Sequence, residues 1–216
     1  MSHQSSVTLA DVAACGVIPV VVLKDAAHAQ PLAEALLAGG ITTAEVTFRT
    51  DAAVESIRAM SSVEGMLVGA GTVISAEQVD QAAEAGARYI VSPGLSAAVV
   101  RRSVEGELLA LPGVANASNI MEALELGLSA VKFFPAEVNG GAKAIKALAA
   151  PFPGLEFVPT GGVGLNNLAD YLALPQVPAV GGSWMVPGDL VAAGAWEQIT
   201  ALASDAVAAV SQARSN

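Results

Sequence analysis

Histidine and cysteine are almost missing from this chain of 216 residues, which holds two of the first and one of the second. With Cys15 alone no disulfide can form within the chain, so a reducing compartment and an inert, buried thiol are the expectation. His3 and His28 stand far apart without a cysteine partner, which excludes the clustered spacing of a zinc site. His28 reads as a helix-surface residue and His3 as part of a loose terminus. Neither a G-x-S-x-G elbow nor a Walker loop occurs. The expected chemistry therefore uses no metal and no other cofactor.

Positive charge is scarce as well: 10 Lys and Arg stand against 20 Asp and Glu, a formal charge of −10. That balance excludes nucleic acid, whose binding needs Lys and Arg against phosphates. It leaves a small anionic ligand open, because charges more than about 8 Å apart are largely screened at physiological salt. No apolar run reaches the length of a membrane span. Val12–Leu23 loosely imitates a signal peptide, but Asp11 precedes it, no Lys or Arg does, and Pro19 splits it. A soluble, cytoplasmic protein without membrane contact is expected.

Aromatic residues make up 4% and charged residues 14%, against 53% hydrophobic residues rich in Ala. Such a composition suits small-residue helices packed on a sheet better than a sandwich of bulky cross-strand pairs. Short apolar or β-branched runs mark strands at Val17–Leu23, Thr43–Thr47, Met66–Ala70, Tyr89–Ser92, Leu108–Leu111, Ala130–Phe133, Leu155–Pro159 and Val177–Val180. Helical periodicity fills the intervals at Ala27–Ala38, Ala52–Met60, Ala76–Ala85, Ala97–Val104, Ser118–Leu126, Gly141–Ala149 and Leu165–Leu172. Further helices near Thr8–Ala14 and Ala195–Ala213 flank the set, with a loose tail from Ser211. Gly39-Gly40, Gly86 and Gly127 stand where left-handed caps would end helices. The alternation predicts an α/β protein: a single-domain (β/α)8 TIM barrel over residues 1–216 with an extra N-terminal helix. An open doubly wound sheet is disfavoured, because no G-x-G-x-x-G turn follows the first strand.

In such a barrel the chemistry collects at the carboxyl ends of the strands, where side chains alternate between interior and helices. Within Ala44–Arg49 the polar Glu45, Thr47 and Arg49 share one parity, so they are expected to point inward. In the run Ala130–Pro135, Lys132 and Phe134 share the inward parity. A lysine held in an apolar pocket gives up its proton more readily than one in water, and the free amine attacks ketones to form Schiff bases. In the third strand Val68, Ala70 and Thr72 align, so the Thr72 hydroxyl would top it, after small residues at 69–71 that let a ligand approach the backbone. Gly161-Gly162 and Gly181-Gly182-Ser183 follow the last two strands, where barrels bind phosphate through backbone N–H groups.

Seven blocks in this order resemble the KDPG aldolases and the related 4-hydroxy-2-oxoglutarate aldolases. They are Gly16–Val20, Glu45–Thr50, Gly69–Val73, Ser92–Gly94, Lys132–Glu137, Pro159–Gly162 and Gly181–Trp184. The resemblance implies a metal-independent aldolase that cleaves 2-keto-3-deoxy-6-phosphogluconate (KDPG) to pyruvate and glyceraldehyde 3-phosphate, in the Entner–Doudoroff pathway, as a homotrimer. It implies that Lys132 forms the Schiff base and Glu45 is the general acid–base. Arg49, Thr72 and the backbone near Pro93 would hold the pyruvate carboxylate, with Phe134 beside the methyl group. Gly161, Gly162, Gly182 and Ser183 would receive the phosphate, and Thr160 would meet a substrate hydroxyl. One departure lies at Asn116–Asn119, where the family has Thr or Ser followed by Glu, and Asn119 is not expected to replace that carboxylate. A 4-hydroxy-2-oxoglutarate or galactonate-type aldolase is the alternative enzyme. A sugar-phosphate isomerase and a non-catalytic sugar-phosphate binder are the readings from other classes.

Overall fold

The computed structural model describes residues 7–215, so His3 lies outside the described residues. Nine strands follow in chain order: β1 Val17–Val21, β2 Thr43–Thr47, β3 Leu67–Gly71, β4 Tyr89–Val91, β5 Leu109–Leu111, β6 Gly113–Val114, β7 Ala130–Phe133, β8 Glu156–Pro159 and β9 Val180–Gly182. The helices are α1 Leu9–Val12, α2 Ala29–Ala38, α3 Ala53–Ser61, α4 Ala76–Glu84, α5 Ala97–Glu105, α6 Ala117–Glu125, α7 Gly141–Ala149, α8 Leu168–Leu172, α9 Gly188–Ala192 and α10 Trp196–Ser215.

Every strand pairing is parallel. One sheet runs β5-β4-β3-β2-β1-β9 and the other β6-β7-β8. The fifth expected strand is β5, and an unexpected short strand, β6, follows it in the other sheet; Pro112 between them has no N–H to continue a ladder. At the other edge Thr160, just beyond β8, forms a parallel bridge with Gly181 of β9.

The two faces of the strands bury different clusters. Val17, Val46, Val68, Ile90, Val131, Phe133 and Phe157 pack with the helices in the larger one. Each such fully buried side chain contributes about 1.5–3 kcal/mol. Ile18, Tyr89, Val91, Leu111, Ala130 and Val158, of the other parity, form a smaller cluster with Leu9 and Val12 of α1. Ile18, Tyr89 and Ala130, with the adjoining Leu67 and Leu109, lie early in their strands, so this cluster joins α1 to the amino ends of the strands. Thr8 caps α1 in a reciprocal box with Asp11.

Several boundaries differ from the sequence expectation for local reasons. The last strand starts at Val180 rather than Val177, because the Val177 N–H is spent on a turn to the Leu174 carbonyl. Helix α8 begins at Leu168 rather than Leu165, after a turn closed by Asn167 on Gly164. The five-residue α9 is too short to show a period. Helix α10 continues through the expected loose tail to Ser215, with Val210 buried and Arg214 donating to the Pro178 carbonyl. Gly40, Gly86 and Gly127 do adopt left-handed φ of 88°, 102° and 80° at helix ends. Asn116 caps α6 by accepting from the Asn119 N–H at 3.0 Å. Asn119 Oδ1 accepts from the Ala115 N–H at 3.4 Å, one residue before the cap, rather than from the Asn116 N–H as the carboxylate of a capping box would.

Candidate active site

Lys132 and Glu45 are 87 residues apart and sit on strands of different sheets, yet Lys132 Nζ lies 3.1 Å from Glu45 Oε1 and 3.4 Å from Oε2. The residues are only 5% and 3% exposed. The inward parity of Glu45 and Lys132 therefore converges on one contact, while Ala44, Val46, Val131 and Phe133 pack on the helix side. The sequence points to an apolar pocket as the means of freeing the amine; the structure adds a carboxylate touching it. Direct proton transfer from Nζ to a carboxylate oxygen leaves a free amine beside a carboxylic acid, without water as carrier. The Phe134 ring lies 5.1 Å from Nζ by its centroid, a cation–π contact with the ammonium form.

The Gly69–Gly71 segment lies tight against the protein's own side chains. A Cβ on Gly69 would overlap the Tyr89 ring, and one on Gly71 would overlap Glu45 Oε1. These glycines make room for the protein's own side chains. Tyr89 is wholly buried with its hydroxyl 3.0 Å from Thr43 Oγ1, and burial pushes its phenol far above the ordinary value, with the nearby Glu45 charge adding to the shift. Thr47 Oγ1 donates to the Val21 carbonyl at 2.9 Å.

Strand parity would send Thr72 to the helix side with Val68 and Ala70, both members of the helix-facing cluster. The chain leaves the extended conformation there, with φ 58° at Thr72. Its hydroxyl instead accepts from Arg49 Nε at 3.4 Å. Arg49 itself is exposed at the mouth of the site, beyond the end of β2, rather than inside.

A cavity of about 230 Å3 gathers Arg49, Phe134, Thr160, Gly161, Gly162, Gly182 and Ser183, together with Val20, Val22 and Val163. The two glycine pairs differ. Gly161 and Gly162 have φ of 98° and 81°, which side-chain-bearing residues rarely adopt. Gly181 and Gly182 are strand residues that admit neighbours: a Cβ would overlap Thr160 Oγ1 at the first and the Trp184 ring at the second. Pro93 lies outside the cavity lining; its carbonyl abuts Gly113, which stands in register with Lys132.

The family model for KDPG and KHG aldolase matches residues 10–202. The chain belongs to the KDPG and KHG aldolase family. It is 52% identical over 187 residues to the 2-dehydro-3-deoxy-phosphogluconate aldolase of Treponema pallidum, covering 86% of this chain and 89% of the relative. It is 47% identical over 192 residues to the KHG/KDPG aldolase of Escherichia coli K12, covering 88% of this chain and 90% of the relative. Among solved structures, KDPG aldolase from Legionella pneumophila, with pyruvate captured as a covalent carbinolamine, superposes with a TM-score of 0.87 at 43% identity. That match covers 91% of this chain and 96% of the other.

Within this aldolase-family site, sequence reasoning missed Val20, Val22 and Val163. Val22 is 40% exposed, an apolar side chain left bare at the end of β1. Nothing in the run Val17–Leu23 distinguishes it, because strands covered on both faces read as continuous apolar sequence. Among the described residues no cluster of His, Cys, Asp and Glu could hold a metal ion, and no helix is long and apolar enough to cross a membrane.

Proposed function

We propose that this chain cleaves KDPG to pyruvate and glyceraldehyde 3-phosphate through a Schiff base on Lys132, as an aldolase of the Entner–Doudoroff pathway. The observation that carries the reading is the buried contact between Lys132 Nζ and the Glu45 carboxylate, set beside a cavity lined by Arg49 and the glycine turns. Lys132 attacks the C2 ketone, and loss of water from the carbinolamine gives a protonated imine. Glu45 takes the C4 hydroxyl proton, the C3–C4 bond breaks, and its electron pair becomes the enamine, so no naked carbanion forms. The same group returns a proton to C3, and hydrolysis of the imine frees pyruvate and the amine.

Arg49 and Thr72, with the backbone near Pro93, hold the pyruvate carboxylate; the planar guanidinium suits it. Phe134 packs beside the methyl group, Thr160 meets a substrate hydroxyl, and Gly161, Gly162, Gly182 and Ser183 take the phosphate. 4-Hydroxy-2-oxoglutarate is a second substrate, supported by the name of the Escherichia coli relative. The same reading takes the two sheets as one single-domain (β/α)8 barrel, supported by the parallel Thr160–Gly181 bridge and the chain continuity at Pro112. It also takes the protein as a cytoplasmic homotrimer.

The test is mass spectrometry after borohydride trapping with pyruvate, together with cleavage rates for KDPG, its galactonate isomer and 4-hydroxy-2-oxoglutarate. An adduct on Lys132 and a preference for KDPG are expected. No adduct would sink the mechanism, and a preference for one of the other two substrates would sink the assignment of KDPG.

A further inference from the structure

The glycine turn after β8 is held from behind by residues that do not line the cavity. Its carbonyls are engaged in succession: that of Thr160 by the Ala136 N–H at 2.8 Å and that of Gly161 by the Glu137 N–H at 3.1 Å. The Gly162 carbonyl accepts from Asn167 Nδ2 at 3.0 Å. Asn167 Oδ1 also accepts from the Gly164 N–H at 2.9 Å, so one amide side chain clasps both ends of the Gly162–Gly164 segment. Among the described residues no protein acceptor takes the Gly162 or Val163 N–H. The negative ends of the peptide dipoles are tied back while positive ends remain for an anion.

A carboxylate stands close to this turn and needs control. A Cβ on Gly162 would come within 2.6 Å of Glu137 Cγ, so the methylene stem of Glu137 packs directly on that glycine. The buried Tyr171 donates its hydroxyl to Glu137 Oε1. A Cβ on Gly141, the first residue of α7, would lie 3.2 Å from the same oxygen, so the carboxylate sits beside the N-terminus of that helix.

We propose that Asn167, supported by the Tyr171–Glu137 pair, is a positioning residue for phosphate recognition: it shapes the 160–164 turn and so sets the preference for phosphorylated over unphosphorylated substrate without touching either. The inference rests on the phosphate assignment under Proposed function. Neutral hydrogen bonds of this kind are individually modest, so loss of two is expected to weaken phosphate binding about 10-fold.

The experiment compares the wild-type enzyme with Asn167→Ala and Tyr171→Phe on KDPG and on 4-hydroxy-2-oxoglutarate, with inorganic phosphate as competing inhibitor. Asn167→Ala is expected to raise KM for KDPG and the inhibition constant for phosphate by about 10-fold each. Its kcat/KM for 4-hydroxy-2-oxoglutarate and its pyruvate adduct on Lys132 should stay at wild-type levels. Tyr171→Phe is expected to shift the same two constants by about 3-fold. Asn167→Asp keeps the acceptor for Gly164 and loses the donor to Gly162; it should move in the same direction and serves if the alanine variant does not fold. Equal losses on both substrates, or an unchanged KM for KDPG, would overturn the inference. A wild-type enzyme indifferent to phosphate on substrate or inhibitor would instead overturn the phosphate assignment, and the inference would fall with it.

Discussion

One end of the site is built from side chains and the other from main chain. Lys132, Glu45, Arg49 and Thr72 bring functional groups together, three of them charged and two buried in mutual contact. At the glycine turns, Gly161, Gly162 and Gly182 offer only backbone beside the hydroxyls of Thr160 and Ser183. A buried cation and carboxylate must be paired, since either alone is costly to desolvate. A backbone anion site needs no such pairing, but it does need φ values and clearances that only glycine tolerates. Substitution should therefore alter chemistry at the first end and geometry at the second.

The sharpest way to break this contrast is Lys132→Arg. It keeps a cation opposite Glu45 while removing the nucleophile, so kcat should fall by at least about 10^4-fold with folding retained. The check is KDPG cleavage together with the absence of a borohydride-trapped adduct. Glu45→Gln preserves shape and removes the proton carrier; a loss of about 10^2–10^4-fold in kcat is expected, while slow adduct formation with pyruvate persists. Gly71→Ala tests geometry at the side-chain end. Its Cβ would overlap Glu45 Oε1, and displacement of that carboxylate by about 1 Å should cost about 100-fold in kcat, with KM little changed.

Gly162→Ala carries the test to the main-chain end. At φ 81° an alanine costs about 1–2 kcal/mol, and its Cβ also meets Glu137. KM for KDPG should rise about 10-fold or more while turnover of 4-hydroxy-2-oxoglutarate is retained. Equal damage to both substrates would erase the distinction between the two ends.

The smallest effect concerns alkaline stability. Burial first, and then the hydrogen bond to Glu137, hold the Tyr171 phenol above its ordinary value. The folded protein thus keeps a proton that the unfolded chain releases near pH 10. The stabilisation is complete below about pH 10 and is lost as pH rises beyond it toward the native value. Urea midpoints measured between about pH 9 and 11 should fall less steeply for Tyr171→Phe than for the wild-type protein, with Tyr89 supplying a slope common to both.

The charged end was legible in sequence because polarity contrasts with an apolar background. Glu45 and Lys132 each break a strand whose neighbours are apolar, and period-2 parity then gives their direction. Val20 and Val22 carry no such contrast. Asn167 lies in a polar loop stretch where one amide resembles another, and its role depends on reaching two backbone groups of a turn five and three residues earlier. Gly71 and Gly181 were visible as glycines, but which side chain each one admits depends on strands distant in sequence.

The alternation of strands with helices, the caps at Gly40, Gly86 and Gly127, and the residues able to do imine chemistry follow from the chain alone, since periodicity and residue type act over a few positions. The meeting of Lys132 with Glu45, the left-handed turn that brings Thr72 to Arg49, and the clasp of Asn167 on Gly162 and Gly164 were decided only in three dimensions. Each depends on register between strands or on a single φ, and a shift of one residue or one torsion would leave the sequence pattern intact while parting the groups.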